Sequence, residues 1–340
     1  MHFTHVVRFR LFTISISFVV TLLMPTPAVT QENGVTIDRT TRTAWGAPDL
    51  QGTYDFGTAT PFQRPSELAG RAKFTDEEAA VQEQRVAERW SDDVNTENLS
   101  PPNYNQFWFD YGTTVVPTKQ SSLIVDPPDG RLPAVTPQQE RKAAAERAAG
   151  GYPVRLLFGG IGDSGPEDRG LGERCILGEN SGPPIMPTVY NNYLQVFQTP
   201  DHVALLIEMV HEVRIVPLDG RDRPSEEIPQ WLGTPRGWWD GDTLVIETMN
   251  FHDQRGFPFG HAVGPGKKTR LTERLTRVDV DTLLYEYTYD DPEVFTQTFA
   301  VSIPFRRTDS ALFEYACHEG NYGLINILKG ARAQEATANR

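Results

Sequence analysis

Two stretches of the chain set an imidazole among carboxylates. The first is Glu208-Met209-Val210-His211-Glu212-Val213-Arg214. Strand alternation would put Glu208, Glu212 and Arg214 on one face with His211 opposite, and a bulge or turn at His211 would let these groups converge. A neutral imidazole held by a carboxylate is a competent general base near neutral pH. A hairpin end with solvated charges accounts for the same residues. The second stretch is Glu314-Tyr315-Ala316-Cys317-His318-Glu319-Gly320-Asn321-Tyr322-Gly323, in which His318 and Glu319 adjoin a cysteine. The candidate catalytic set is His211 or His318 as base, Glu208 or Glu319 orienting it, and Arg174 stabilising negative charge as it develops.

Other residues could hold a polar substrate. Tyr190 and Asn191, in Tyr190-Asn191-Asn192-Tyr193, follow a proline-rich loop and offer hydroxyl and amide groups. Trp108 and Tyr111 belong to the unusual run Asn103-Tyr104-Asn105-Gln106-Phe107-Trp108-Phe109-Asp110-Tyr111-Gly112, which suits either an aromatic plug over the core or a ligand-facing wall. Tyr322 completes this set. His252 and His261 fall in a Gly- and Phe-rich stretch with the character of a surface flap.

Several motifs are set aside. Gly162-Asp163-Ser164-Gly165 spells the surroundings of a trypsin-type nucleophile, but the histidines upstream of it are His2 and His5, and the order His, Asp, Ser fails. No Gly-x-Ser-x-Gly elbow, Walker loop, His-Glu-x-x-His pair or dinucleotide fingerprint occurs, so no organic cofactor is expected. Glu208, His211, His318 and Glu319 lack a diagnostic ligand spacing, and no metal is expected either.

The elements that must position these groups are mainly strands. Residues 194–199, 203–210, 213–218, 243–248 and 269–278 are β-favouring runs separated by turn signals such as Pro200-Asp201, Asp219-Gly220 and Trp238-Trp239-Asp240-Gly241-Asp242. Leu283, Tyr285, Tyr287 and Tyr289 share one face of a further strand, residues 295–305 alternate in the same way, and residues 312–316 close the series. Short connections between consecutive strands predict an antiparallel meander curled into a barrel or sandwich. Two helices are expected beside it. Thr75-Asp76-Glu77-Glu78 is a capping box opening a helix to about Trp90, and Thr136-Pro137-Gln138-Gln139 opens another ending near Gly150-Gly151. Both have thin apolar faces and pack on something larger.

The chain begins with Arg8 and Arg10, an apolar stretch from Leu11 to Met24, and Pro25 and Pro27. This is the layout of a signal peptide over residues 1–28, too short for a retained anchor, which needs roughly 20 apolar residues. Its removal takes away two arginines and changes the formal charge from -13 to -15. Such an acidic surface repels phosphate backbones, so nucleic acid is not an expected partner. The expected organisation is a wrapping segment with two helices over residues 29–150 and an antiparallel β domain over residues 151–330, together forming one globule. The two cysteines, Cys175 and Cys317, are expected to form one disulfide in an oxidising compartment. That bridge would bring the run around His318 beside Gly170-Leu171-Gly172-Glu173-Arg174, stapling loops over a barrel mouth.

Four phrases, Trp45-Gly46-Ala47-Pro48-Asp49-Leu50-Gln51-Gly52, Gly170-Leu171-Gly172-Glu173-Arg174-Cys175, Gln198-Thr199-Pro200-Asp201-His202 and Tyr315-Ala316-Cys317-His318-Glu319-Gly320-Asn321-Tyr322, together resemble a group of secreted bacterial proteins of unknown function. The resemblance covers most of the mature chain and implies an exported protein of one family. It assigns no residue a role. The expected function is a periplasmic or secreted enzyme that acts on a small organic molecule by acid–base hydrolysis, elimination or isomerisation. The alternative is a lipocalin-like carrier with an apolar ligand against Tyr285, Tyr287 and Phe299. A third reading is an envelope protein that docks a partner through the aromatic segment around Trp108.

Overall fold

A computed structural model of the chain describes residues 41–89, 110–148, 162–178, 180–252 and 267–338. The signal segment, Trp108 and His261 lie outside the described residues. The chain divides into two compact units, Met1–Val35 and Thr36–Arg340, and all described residues belong to the second.

Strict alternation makes the strands. In β9 (Thr282–Asp290), Leu283, Tyr285, Tyr287 and Tyr289 are buried while the residues between them face outward, the pattern of a sheet with one covered face. The same two-residue period recurs in β3 (Tyr193–Gln198), β4 (His202–Ile207), β8 (Arg270–Arg277) and β10 (Phe299–Thr308). With β1 (Gly52–Asp55), β2 (Ile124–Asp126), β5 (Glu212–Pro217), β6 (Thr234–Asp240) and β7 (Thr243–Met249), they form one antiparallel ten-stranded sheet. Its order is β5-β4-β3-β1-β10-β9-β8-β7-β6, with β2 pairing β10 off this path. The two meanders, β3 to β5 and β6 to β10, are therefore joined through β1. Residues of β1 pair on one side with β3, Tyr54 opposite Leu194, and on the other with β10, Tyr54 opposite Arg307.

The sheet curls but does not close. Its end strands β5 and β6 lie side by side with no ladder between them among the described residues. Gly237 of β6 sits at this seam, where a Cβ would come within 2.7 Å of Leu218 and 2.8 Å of Val216. A side chain at this position would require Leu218 and Val216 to shift.

The covered face is filled. Leu194, Val196, Leu205, Ile207, Leu244, Ile246, Leu271, Leu275, Ile303 and Phe305 form one core with the β9 tyrosines. Ile185 and Met186, from the loop before β3, enter it: the Ile185 amide donates to the Tyr285 hydroxyl at 3.0 Å, and the Tyr287 hydroxyl donates to Met186 Sδ at 2.8 Å. One ion pair is buried here. Arg214 of β5 meets Glu273 of β8 through two bonds of 3.0 and 2.6 Å, the side chains being 2% and 0% exposed, and the Tyr285 hydroxyl donates to the same carboxylate at 2.7 Å. A bidentate guanidinium–carboxylate pair with a further donor is the form in which buried charge is tolerated.

Both expected helices form. In α1 (Asp76–Arg89) the capping box is complete, with Glu78 N donating to Thr75 Oγ1 at 3.2 Å and Thr75 N donating to Glu78 Oε2 at 3.0 Å. In α2 (Pro137–Ala148), Gln139 N donates to Thr136 Oγ1 at 3.2 Å. Four features differ from the expected pattern. Residues 52–55, expected in a wrapping segment, supply the central strand β1. Trp238 and Trp239, expected in a turn, lie within β6, and the turn is at Gly241. Residues 312–316 form no strand, because Phe313 N donates to the Glu208 carboxylate rather than to a neighbouring strand. A third helix, α3 (Tyr322–Ala338), follows them.

Candidate functional site

Three adjacent strands bring polar groups to one end of the sheet. Asp55 closes β1, Tyr193 opens β3 opposite it, and Glu208 follows β4, its amide donating to the Tyr193 carbonyl at 3.0 Å. Glu208 is buried, and its Oε1 accepts from Phe313 N at 2.8 Å.

Asn192, fully buried just before β3, organises what lies above these ends. Its side chain accepts from Thr188 N and donates to the Thr188 carbonyl, both at 2.8 Å. It also reaches the Asp110 carbonyl at 3.4 Å, while its backbone amide donates to Asp110 Oδ2 at 3.4 Å. Asp110 is pinned from behind as well, since its amide donates to the Val189 carbonyl at 3.2 Å. Gly112 lets this segment lie against residues 57–58, where a Cβ would come within 2.0 Å of backbone atoms.

Asn180 completes the cluster. It too is fully buried, and its Nδ2 lies within hydrogen-bonding reach of Thr188 Oγ1, the carbonyls of Tyr190 and Asn191, and Asn192 Oδ1, at 2.9 to 3.4 Å. Asn191 holds its carbonyl there by adopting a left-handed backbone, φ 57°, a conformation that Asn tolerates better than most residues. The Tyr190 ring stacks on Tyr315 with centroids 6.5 Å apart and planes 3° apart.

The electrostatics of this end are acidic. Burial pushes the Asp110 carboxyl up to about 6, helped by the charge of Glu208 and opposed by the amide of Asn192. The Tyr193 hydroxyl is likewise raised, by burial first and then by Asp55, Asp110 and Glu208, with Arg306 acting the other way. Two buried side-chain oxygens, Asp110 Oδ1 and Asn180 Oδ1, have no hydrogen-bond partner among the described residues.

The disulfide is present. Cys175 and Cys317 are bonded, with Cα atoms 5.7 Å apart. It brings the expected loops together: Asn321 Nδ2 donates to the Glu173 carbonyl at 2.9 Å, and Glu173 pairs with Arg169 at 3.0 Å. The chain matches no family model, no curated protein and no solved structure.

The sequence-derived candidates separate into two groups. Glu208, Tyr190, Asn191 and Tyr111 lie in or beside the Asp110 cluster. His318 and Glu319 are exposed, Tyr322 is exposed at the start of α3, and Arg174 is half-buried beside Cys175. No bond joins Arg174, His318 or Glu319 to the Asp110 cluster among the described residues. A turn does fall at His211, which ends the short 3-10 segment Met209–His211. Glu208 and Arg214 part there, Glu208 bonding Phe313 N while Arg214 turns into the core toward Glu273. Tyr285, Tyr287 and Phe299, the wall expected for a carrier, are packed against one another and against Met186. The Asp-Ser motif of residues 162–165 has a structural use, the carbonyls of Asp163 and Ser164 accepting from Arg332 of α3.

Sequence alone does not distinguish Asp110, Asn180 and Asn192 as site residues. Asp110 lay within the aromatic run, and Asn192 within the Tyr-Asn-Asn-Tyr phrase, so both segments were visible while the particular side chains were not. Among the described residues, no three or more His, Cys, Asp or Glu side chains are placed to hold a metal ion, and no helix is long and apolar enough to cross a membrane.

Proposed function

We propose that the protein is an exported enzyme that acts on a small polar organic molecule by acid–base chemistry, with Asp110 as the group that takes up and delivers the proton. The observation that carries this reading is the Asp110 carboxyl, pushed by burial up to about 6, with a buried oxygen that has no hydrogen-bond partner among the described residues. A carboxyl in that range is populated in both states near neutral pH, the condition for efficient general catalysis. Glu208, behind it, is a positioning group whose charge helps to keep the Asp110 proton in place. Asn192 fixes the orientation of the Asp110 carboxylate through its amide. The reaction class is hydrolysis, elimination or isomerisation, in which one carboxyl suffices for proton transfer. Export is supported by the signal-like residues 1–28 and by the disulfide.

The test is a turnover screen of wild type and Asp110→Asn against panels of small esters, amides, hydroxy acids and amino compounds. Any wild-type activity should fall by about 10²- to 10⁴-fold in the variant, and its kcat/KM should change slope near pH 6. An activity that survives Asp110→Asn with its pH profile intact would overturn the assignment.

A further inference from the structure

The atoms left without partners indicate the charge of what binds. Asn180 cannot present its amide group to a ligand, because Nδ2 is surrounded by four acceptors. What remains is its oxygen, buried and without a donor among the described residues, as is Asp110 Oδ1. Glu208 adds a buried carboxylate. Buried acceptors without donors are costly, and a native site that keeps two of them accommodates a molecule that brings hydrogens. The surrounding field has the same preference. Asp55, Asp110 and Glu208 all raise the Tyr193 hydroxyl, and Arg306, the opposing charge, is paired with Asp55 at 2.6 Å. The whole chain, with a formal charge of -13, draws cations toward it.

We propose that this site binds a small organic cation, an ammonium compound whose N–H groups donate to Asp110, Asn180 and Glu208. The proposal rests on the reading of this cluster as a small-molecule site and adds the charge of the ligand. Asp110, Asp55, Glu208, Tyr193 and Arg306 are the titratable and charged groups that face one another here. Protonation of Asp110 removes one negative charge, so affinity for the cation falls as the pH drops through about 6.

The experiment measures binding of benzylammonium, benzyl alcohol and benzoate by calorimetry at pH 7.5 and pH 5, with wild type, Glu208→Gln and Asp110→Asn. The near-isosteric variants keep their shape, and an unchanged melting transition checks each one. Benzylammonium should bind wild type at least about tenfold more tightly than the alcohol, with benzoate weaker still, and each variant should lose about tenfold in affinity for it, the scale of one charge-assisted hydrogen bond. Equal affinity for the alcohol, or preference for benzoate, overturns the proposal. Calcium chloride is the remaining arm: a calcium ion that binds and displaces benzylammonium makes the site a metal site and overturns it as well. The two readings fail separately. Benzylammonium binding with Asp110-independent turnover removes the catalytic role and leaves the cation site. Asp110-dependent turnover of a neutral or anionic substrate does the reverse.

Discussion

At the scale of single residues, Asp110 couples the site to the stability of the fold. Its carboxyl ionises near the ordinary 3.8 in the unfolded chain and at about 6 when folded. The folded state therefore holds the proton more tightly. The stability this gives is fully present below the unfolded value and is lost as pH rises through the folded one. Between pH 4 and pH 7, the stability of wild type relative to Asp110→Asn should decline, then level off. Urea midpoints for both proteins across that range measure the difference, and a difference independent of pH would show that Asp110 titrates normally. Such a shift was beyond the reach of sequence. Glu208 was legible because it sits near His211, but the Asp110 environment comes from Asn192, 82 residues away, and Glu208 is held by Phe313, 105 residues away. Local composition marks a segment as unusual; the burial that perturbs a carboxyl is a property of the chain folded around it.

At the scale of elements, legibility followed the strength of the repeating pattern. β9 has nine residues with four buried at a period of two, and α1 and α2 have caps whose side chains bond the amides that the sequence predicts. β1 has four residues and one buried side chain, Tyr54, too little for a period to register. α3 escaped for a related reason. Ala331 is its one buried side chain, so an apolar stripe gives no guide, although Asn321 Oδ1 accepts from Leu324 N at 3.5 Å in the manner of an N-cap. The short strand nevertheless joins the two meanders. Tyr54 packs in the core and donates its hydroxyl to the Leu50 carbonyl at 2.9 Å. Tyr54→Ala should cost about 3–5 kcal/mol, as for other large aromatic truncations in a core. Equilibrium denaturation gives the value. A loss below about 1 kcal/mol would mean that β1 is not part of the cooperative sheet, well under what truncation of a buried ring removes.

At the scale of the whole molecule, one covalent link closes the topology that the strands leave open. β5 and β6, at opposite ends of the sheet order, lie side by side with no ladder between them among the described residues, so hydrogen bonding between these strands does not close the sheet. The Cys175–Cys317 bond spans 142 residues and encloses β3 to β10. It ties the loop before the first meander to the segment after the second, the same segment that supplies Phe313 to Glu208 and Tyr315 to Tyr190. A cross-link over so long a loop restricts the unfolded chain most, and its removal should cost roughly 2–5 kcal/mol. The cost should appear in wild type on adding reductant and in the Cys175→Ser/Cys317→Ser protein without it. The two measurements distinguish the bridge from the side chains. Equal losses place the effect in the bond itself, whereas a loss confined to the serine protein would mean that the thiols, not the bond, stabilise the fold. If the loss is equal and Asp110 keeps its pH slope in the serine protein, the sheet ends alone position the acidic cluster. If the slope disappears, the staple is what keeps the Asp110 carboxyl buried.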